Sequence, residues 1–224
     1  MHNSPYDFYT ESAMKSNIQD NIQDDMKHYF KVKHFDLPLD KIKEEALFIV
    51  DEVINNYGIT FLSDEPKFGQ GSLSTKLFSS YNTFLFNQPT LYLLFTELKN
   101  FFIEAFQPKE SYYIQSWINV HNKNEFLSWH GHWPTEVRSY HGYFGVNVEP
   151  SVTSYIVPPF MKLINIKNSN NKCLINKSDG DKHRVSKWNE NESRISIAFD
   201  IIPFDSLQKL GLIDSQHFIP LIKI

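Results

Sequence analysis

The stretch FLSWHGHWP, residues 126–134, sets two imidazoles, His130 and His132, one residue apart between two tryptophans. Alternate residues of a strand point to one side, so an H-x-H pair can aim two ring nitrogens at one point. Imidazole is the commonest side chain to hold a transition metal near neutral pH. The same residues can also be read as two polar rings packed in an aromatic patch. In a chain with nine histidines, the pair alone does not choose between these readings. A metal would need a third corner from elsewhere, and the candidate is His183, which follows a Gly-Asp turn and opens a strand-like run.

A large β domain is expected to position these residues. After Pro108, short β-rich runs follow one another: YYIQSWINVH, EFLSW, YHGYFGVNVE, TSYIV, FMKLINI, KCLIN, HRVSKW and RISIAFDII, with turn residues between them. Eight such runs suit a jelly roll. Before them, Ile42, Ala46, Ile49, Val50, Val53 and Tyr57 recur at helical spacing, with Asp40 as N-cap and Gly58 as the stop. A second helix starts at Pro89, runs through Leu91, Phe95, Leu98, Phe102 and Phe106, and ends before Pro108. These helices are expected on the outer face of one sheet. The organisation is therefore a polar arm over residues 1–30 and a single domain over 31–224. Its helical layer spans about 39–107 and its jelly-roll core about 111–203. The segment between Phe68 and Phe84 is loop-like and placed to cover a site.

Period two divides the strand faces. Tyr113, Gln115, Trp117, Asn119 and His121 share one face, and Ile114, Ile118 and Val120 the other. In the last run, Arg194, Ser196 and Ala198 oppose Ile195, Ile197, Phe199 and Ile201. A face that mixes aromatic with hydrogen-bonding residues suits a pocket wall.

Composition narrows the class. The 224 residues are 41% hydrophobic, enough for one sizeable core. A net charge of −4 argues against a broad nucleic-acid footprint and favours a small molecule or a protein side chain as partner over duplex DNA or RNA. One cysteine, Cys173, permits no intrachain disulfide and is expected in the core rather than as a catalytic thiol. No apolar run approaches the roughly 20 residues that span a membrane, and residues 1–30 lack the pattern of a secretory signal. The expectation is a cytoplasmic protein. Its oligomeric state is open, a dimer included.

The block SWINVHNKNEFLSWHGHWP … YHGYFGVNVEP … DKHRVSKWNENESRISIAFDI resembles the iron(II)/2-oxoglutarate-dependent oxygenases. It is most similar to hydroxylase-like members with an H-x-H-P-like motif and a terminal R-I-S-I-A-F-N. The likeness covers roughly residues 112–202. It implies a cupin-like double-stranded β-helix, with iron(II) and 2-oxoglutarate as cofactors and ascorbate as an available reductant. It also implies a metal held by His130, His132 and His183, and an R-x-S pair, Arg194 and Ser196, on the distal carboxylate of 2-oxoglutarate. A guanidinium suits that task, because it meets a carboxylate through two parallel hydrogen bonds. The likeness puts Asn119 and His121 at the cosubstrate, and Asn147 and Tyr143 share the strand parity of His141 and are expected to reach it. Trp129, Trp133, Arg138, Tyr140 and His141 form the substrate side, or a structural aromatic cluster. His183 and Arg194 are expected on adjacent strands across a turn at residues 188–193.

The sequence departs from the family at one position. Most members pair two histidines with a carboxylate, and here that place is taken by His132. Glu136 or Asp181 is the alternative carboxylate. A three-histidine cupin-type dioxygenase without 2-oxoglutarate and a non-catalytic metal- or ligand-binding jelly roll are the other readings.

Overall fold

A computed structural model describes residues 18–19, 26–57, 69–70, 72–158, 162–211 and 220–224. The elements in order are β1 (Ile18–Gln19), β2 (Phe30–His34), α1 (Leu39–Tyr57), β3 (Gly69–Gln70), α2 (Leu73–Lys76) and α3 (Pro89–Phe106). The core strands follow: β4 (Tyr112–His121), β5 (Phe126–His130), β6 (Tyr140–Asn147), β7 (Val152–Val157), β8 (Lys162–Lys167), β9 (Lys172–Lys177), β10 (Lys182–Val185) and β11 (Arg194–Pro203). A short helix, α4 (Phe204–Lys209), and a two-residue strand, β12 (Ile222–Lys223), complete the described chain. Most of the 1–30 arm, the expected helix stop at Gly58 and part of the loop after Phe68 lie outside the described residues.

Apart from the paired β7 and β8, the eight core strands alternate between two sheets. One sheet has the order β12-β4-β11-β6-β9-β2 and the other β1-β8-β7-β10-β5-β3. Consecutive core strands are therefore mostly partners across the sandwich rather than within a sheet, which is the double-stranded β-helix expected from the sequence. β11 runs antiparallel between β4 and β6, and all ten of its residues are buried.

That centre strand decides the layering. Its odd-numbered residues, Ile195, Ile197, Phe199 and Ile201, face the helices. They join Ile114 and Ile118 of β4 and Phe144 of β6 in one core with Ile42, Ala46, Ile49 and Val53 of α1 and Leu91, Leu94, Leu98 and Phe102 of α3. The helices thus cover the outer face of the first sheet. Gln88, at the N-cap of α3, makes no side-chain cap. The carboxylate of Glu45 on α1 replaces it, accepting from the amides of Thr90 (3.1 Å) and Leu91 (2.9 Å). An acidic group at that end satisfies orphan amides and suits the helix dipole. The even-numbered residues of β11 point into the sandwich, where a second cluster, including Tyr143, Tyr155, Ile164 and Leu174, fills one end.

Cys173 is fully buried in the core. Its burial raises the thiol pKa, so it is no nucleophile at neutral pH.

Leu98 is completely buried between helix and sheet, whereas Leu93, on the same helix, is half exposed. Leu98→Ala should cost about 2–5 kcal/mol of stability and Leu93→Ala about 0.5 kcal/mol or less, read from urea denaturation midpoints. Equal losses would mean that the helical layer is not seated on the sheet as described.

Candidate active site

A cavity of about 340 Å³ opens between the sheets, walled by His130, His132, His141, His183, Arg194 and Ser196, with Trp117, Phe78, Tyr143 and Tyr155 among the aromatic residues around them. The strand pairing brings the histidines together. His183 on β10 stands opposite His130 on β5. The register then slips, so that Val185 meets Leu127. This irregularity lets Leu127 and His130, three residues apart, both face the cavity.

β5 ends at His130, so strand alternation does not aim His132. Gly131 and His132 lie in the loop beyond it. Gly131 allows the loop to pass close to β10, since a Cβ there would sit 2.8 Å from the Lys182 ammonium nitrogen and 3.0 Å from the Asp181 carbonyl. His132 is aimed instead by a carboxylate. Its Nδ1 lies 2.5 Å from Asp200 Oδ1, and Trp133 Nε1 donates to Asp200 Oδ2 at 3.0 Å. His130 Nδ1 is 2.8 Å from the Ser128 carbonyl. In both rings Nδ1 is engaged behind the site, which leaves Nε2 for the cavity.

His130, His132 and His183 place one ring nitrogen each within 4.8 Å of one another. Burial, followed by the neighbouring His132, lowers the His130 pKa to about 3. Burial, followed by His130, holds His183 well below its usual value. Both rings are therefore neutral near pH 7, the protonation state a metal requires. For His132 burial also works against the charged form, but Asp200 outweighs it and the pKa is raised. Three imidazoles, two held by acceptors behind them, fit a divalent transition metal in composition.

Arg194 is 1% exposed. Its Nε donates to Ser151 Oγ and its Nη1 to Ser196 Oγ, both at 3.0 Å. Asn168 Nδ2 donates to the same Ser151 oxygen at 2.8 Å, and Tyr143 and Thr153 donate to Asn168 Oδ1. No carboxylate pairs with Arg194 among the described residues. Burial lowers its pKa to about 10, so it remains charged at neutral pH. A buried guanidinium held only by neutral groups, on the wall of a cavity, is built to take an anion.

The remaining expected residues separate. Asn119 lines the cavity and accepts from Thr75 Oγ1 at 2.9 Å. Tyr143, Trp133 and His141 also line it. His121 is buried beside Arg194 but outside the cavity wall, and neither ring nitrogen has a hydrogen-bond partner among the described residues. Asn147 is turned away as well. The pairing of β6 with β11 slips between Ile195 and Ser196, and the Asn147 amide donates to the Ser193 carbonyl at 2.8 Å. Tyr140 has the even parity of its strand and packs on Phe102 and Phe106 under the helices. Trp129 lies outside the cavity wall, with the Arg184 guanidinium 5.3 Å over its ring. Arg138 is exposed and 3.7 Å from Glu110. Glu136 sits exposed in a one-turn helix, Thr135–Val137, and belongs to neither histidine group. Asp181 is buried and contacts His141 at 3.0 Å.

His183 and Arg194 are not on neighbouring strands. β10 belongs to one sheet and β11 to the other, so residues 186–193 cross the sandwich and the two side chains meet the cavity from opposite walls. Asp200 and Ser151 carry functional contacts that were not expected. Asp200 continues the even-numbered series of Arg194, Ser196 and Ala198, a signal available in the sequence. Ser151 follows a proline and has none.

No family model matches the chain, and no curated protein matches it. Solved structures do. A Trichoplax adhaerens prolyl hydroxylase in complex with a hypoxia inducible factor peptide fragment superposes with a TM-score of 0.57 at 11% identity, over 84% of this chain and 88% of that one. The epimerase SnoN, in complex with Fe3+, alpha ketoglutarate and nogalamycin RO, gives 0.54 at 11% identity, over 87% and 85%. A Pseudomonas putida prolyl-4-hydroxylase gives 0.51 at 9% identity, over 80% and 96%. The chain thus has the double-stranded β-helix fold of the 2-oxoglutarate/iron(II) oxygenases. At these identities the likeness establishes the fold.

Burial, with Arg194 adding to it, lowers the His121 pKa to about 3. An unfolded imidazole titrates at about 6.5, so between those values the unfolded chain binds more protons and stability falls as pH drops. Replacing His121 with Leu should flatten this decline, by up to about 1.4 kcal/mol per pH unit, leaving the share owed to His130 and His183. Urea denaturation at several pH values would show it, and an unchanged slope would mean that His121 is protonated in the fold.

Proposed function

We propose that the chain is an iron(II)- and 2-oxoglutarate-dependent oxygenase, with His130, His132 and His183 holding the metal and Arg194 with Ser196 holding the distal carboxylate of the cosubstrate. The observation that carries the reading is the buried, carboxylate-free Arg194 on the wall of the cavity that also presents the imidazoles of His130, His132 and His183, two of them held neutral by burial. Neither feature alone selects a cosubstrate. Together they suit a molecule with a chelating keto-acid at one end and a carboxylate at the other.

Iron(II) bound there supplies oxygen activation: one oxygen atom enters succinate as 2-oxoglutarate loses carbon dioxide, and the other oxidises the substrate. The chain's residues provide the setting. Ser128 and Asp200 hold His130 and His132 by their Nδ1 atoms, so neither ring has to reorient to bind. Asp200 lies behind His132 and supplies the negative charge that a carboxylate ligand brings in the commoner triad. Ser151 and Ser196 hold the guanidinium in one orientation before the anion arrives, which lowers the ordering cost of binding. Phe78, Trp117 and Tyr155 keep the cavity mostly apolar and limit water around the reacting atoms. The substrate is expected to be a small molecule or a protein side chain, as in the prolyl hydroxylase bound to a peptide fragment. Among the described residues no helix is long and apolar enough to cross a membrane.

The all-histidine ligand set favours one second reading, a dioxygenase of the same fold that uses no 2-oxoglutarate. Anaerobic titration of the iron-loaded chain with 2-oxoglutarate separates the two. A visible charge-transfer band, followed by succinate once oxygen is admitted, supports the first reading, and iron binding without either supports the second.

Two substitutions sharpen the assignment. Arg194→Ala should weaken 2-oxoglutarate binding by about 100-fold or more, the scale of a broken buried charge pair of roughly 3–5 kcal/mol, while iron affinity stays within a few-fold. Undiminished cosubstrate affinity would remove Arg194 from the site. His132→Asp should retain iron better than His132→Ala, and Glu136→Ala should leave iron binding unchanged, measured by equilibrium dialysis. If Glu136→Ala emptied the site, His132 would not be a ligand.

A further inference from the structure

A second group of donors shares His183. His141, Asp181 and His183 each bring one ligand-type atom within 4.8 Å of the others, and all three side chains are buried. His141 and His183 line the cavity, while Asp181 and Asn176 stand behind that wall. His141 Nε2 lies 3.0 Å from Asp181 Oδ2. The Asn176 amide nitrogen approaches both, at 2.8 Å from Nε2 and 3.3 Å from Oδ2, and also the Lys177 carbonyl at 3.2 Å. His141 Nε2 either donates to Asp181 Oδ2 or accepts from the amide, so one of these two close pairs is left without a hydrogen.

The shortage extends around the cluster. Asp181 Oδ1, Asn176 Oδ1 and His183 Nδ1 are buried and have no hydrogen-bond partner among the described residues. His183 Nδ1 is 4.0 Å from Asp181 Oδ2. That gap is too long for a hydrogen bond. Two ligand atoms of a tetrahedral ion lie about 3.3–3.6 Å apart when each bond is about 2.0–2.2 Å, so a shift of a few tenths of an ångström brings both atoms into one shell. The 3.0 Å between His141 Nε2 and Asp181 Oδ2 matches adjacent corners of the same ion. Asp181 forms no ion pair with Lys or Arg among the described residues, its ionic contacts being the two histidines. A buried carboxylate with orphaned acceptors around it calls for a positive charge.

We propose that His141, Asp181 and His183 hold a divalent cation of their own, separate from the ion of the three-histidine group. Two nitrogens and one carboxylate suit an ion with the preferences of Zn(II). The two nitrogens of the His183 ring point in different directions, so Nδ1 serves this position and Nε2 the cavity. Filling both positions releases the ring's one N–H proton to solvent, and the pair of ions is then bridged by an imidazolate.

The test uses the full chain, stripped with chelator and loaded with Zn(II), with bound metal counted by mass spectrometry after dialysis. The wild type should hold two equivalents. Asp181→Asn, nearly the same shape, should lose one and keep the other, and His130→Ala should lose the other and keep the Asp181-dependent one. Two equivalents that both survive Asp181→Asn overturn the proposal. So does a single equivalent that Asp181→Asn leaves in place, which would mean that the cluster holds water. A single equivalent lost in Asp181→Asn but kept in His130→Ala supports this site and removes the three-histidine one, so the two assignments fail separately. Cobalt(II) substitution adds a spectroscopic readout: the wild type should show a weaker electron paramagnetic signal per ion than either variant, through coupling across the shared ring. Two ions with undiminished signal would overturn the bridge.

Discussion

The arrangement of the cavity depends on one uncompensated charge. Arg194 is buried in the centre strand of a sheet, and a guanidinium there is tolerable only if every donor finds an acceptor. Among the described residues Arg194 has neutral acceptors and no carboxylate partner. Ser196 comes from the same strand two residues on, and Ser151 from the loop ahead of β7. Ser151 in turn is held by Asn168, and Asn168 by Tyr143 and Thr153. The network ties both sheets to the arginine, yet it leaves the charge for a ligand to neutralise.

The histidines follow the complementary logic. Where the arginine is a charge lacking a counter-ion, His130 and His183 are kept neutral by burial, and the carboxylates that could charge their neighbours stand behind them. Asp200 backs His132 and Asp181 backs His141. The rings of His132 and His141 stack at 4.3 Å with 17° between planes, so the two histidine–carboxylate pairs form one layer. In each pair the carboxylate fixes the ring's orientation through one of its nitrogens.

Much of this was legible in the sequence. Eight β-rich runs announced eight core strands, and period two separated Arg194, Ser196 and Ala198 from the Ile/Phe face of β11. Both signals are local and need only the strand's own geometry. The errors arose where strands deviate from that geometry or where one sheet must be told from the other. His132 was assigned to a strand that stops at His130, and a bulge carries Asn147 off the cavity. Tyr140, counted with the substrate residues, has helix-facing parity. His183 and Arg194 were taken for hairpin neighbours because only eight residues separate their strands. In a double-stranded β-helix such a connection crosses between sheets, and no residue in WNENES marks that.

The crossing is what makes the site work. Strands paired in one sheet project their inward residues in parallel, so His183 and Arg194 on neighbouring strands would stand side by side, with no room for a ligand between them. On opposite sheets they face each other across a gap set by the packing of two β-layers, about 10 Å. That gap is long enough for a small dicarboxylate to touch a metal at one end and a guanidinium at the other. It is too long for a direct charge pair between Arg194 and the carboxylates that hold the histidines. Asp200 lies on β11 itself, six residues from Arg194 on the same face, and its oxygens are engaged by His132 and Trp133. One strand therefore carries both the buried guanidinium and the group that aims a histidine of the opposite wall. Any change in its register would move both together, which is why the most deeply buried strand of the fold is also the one that defines the cavity.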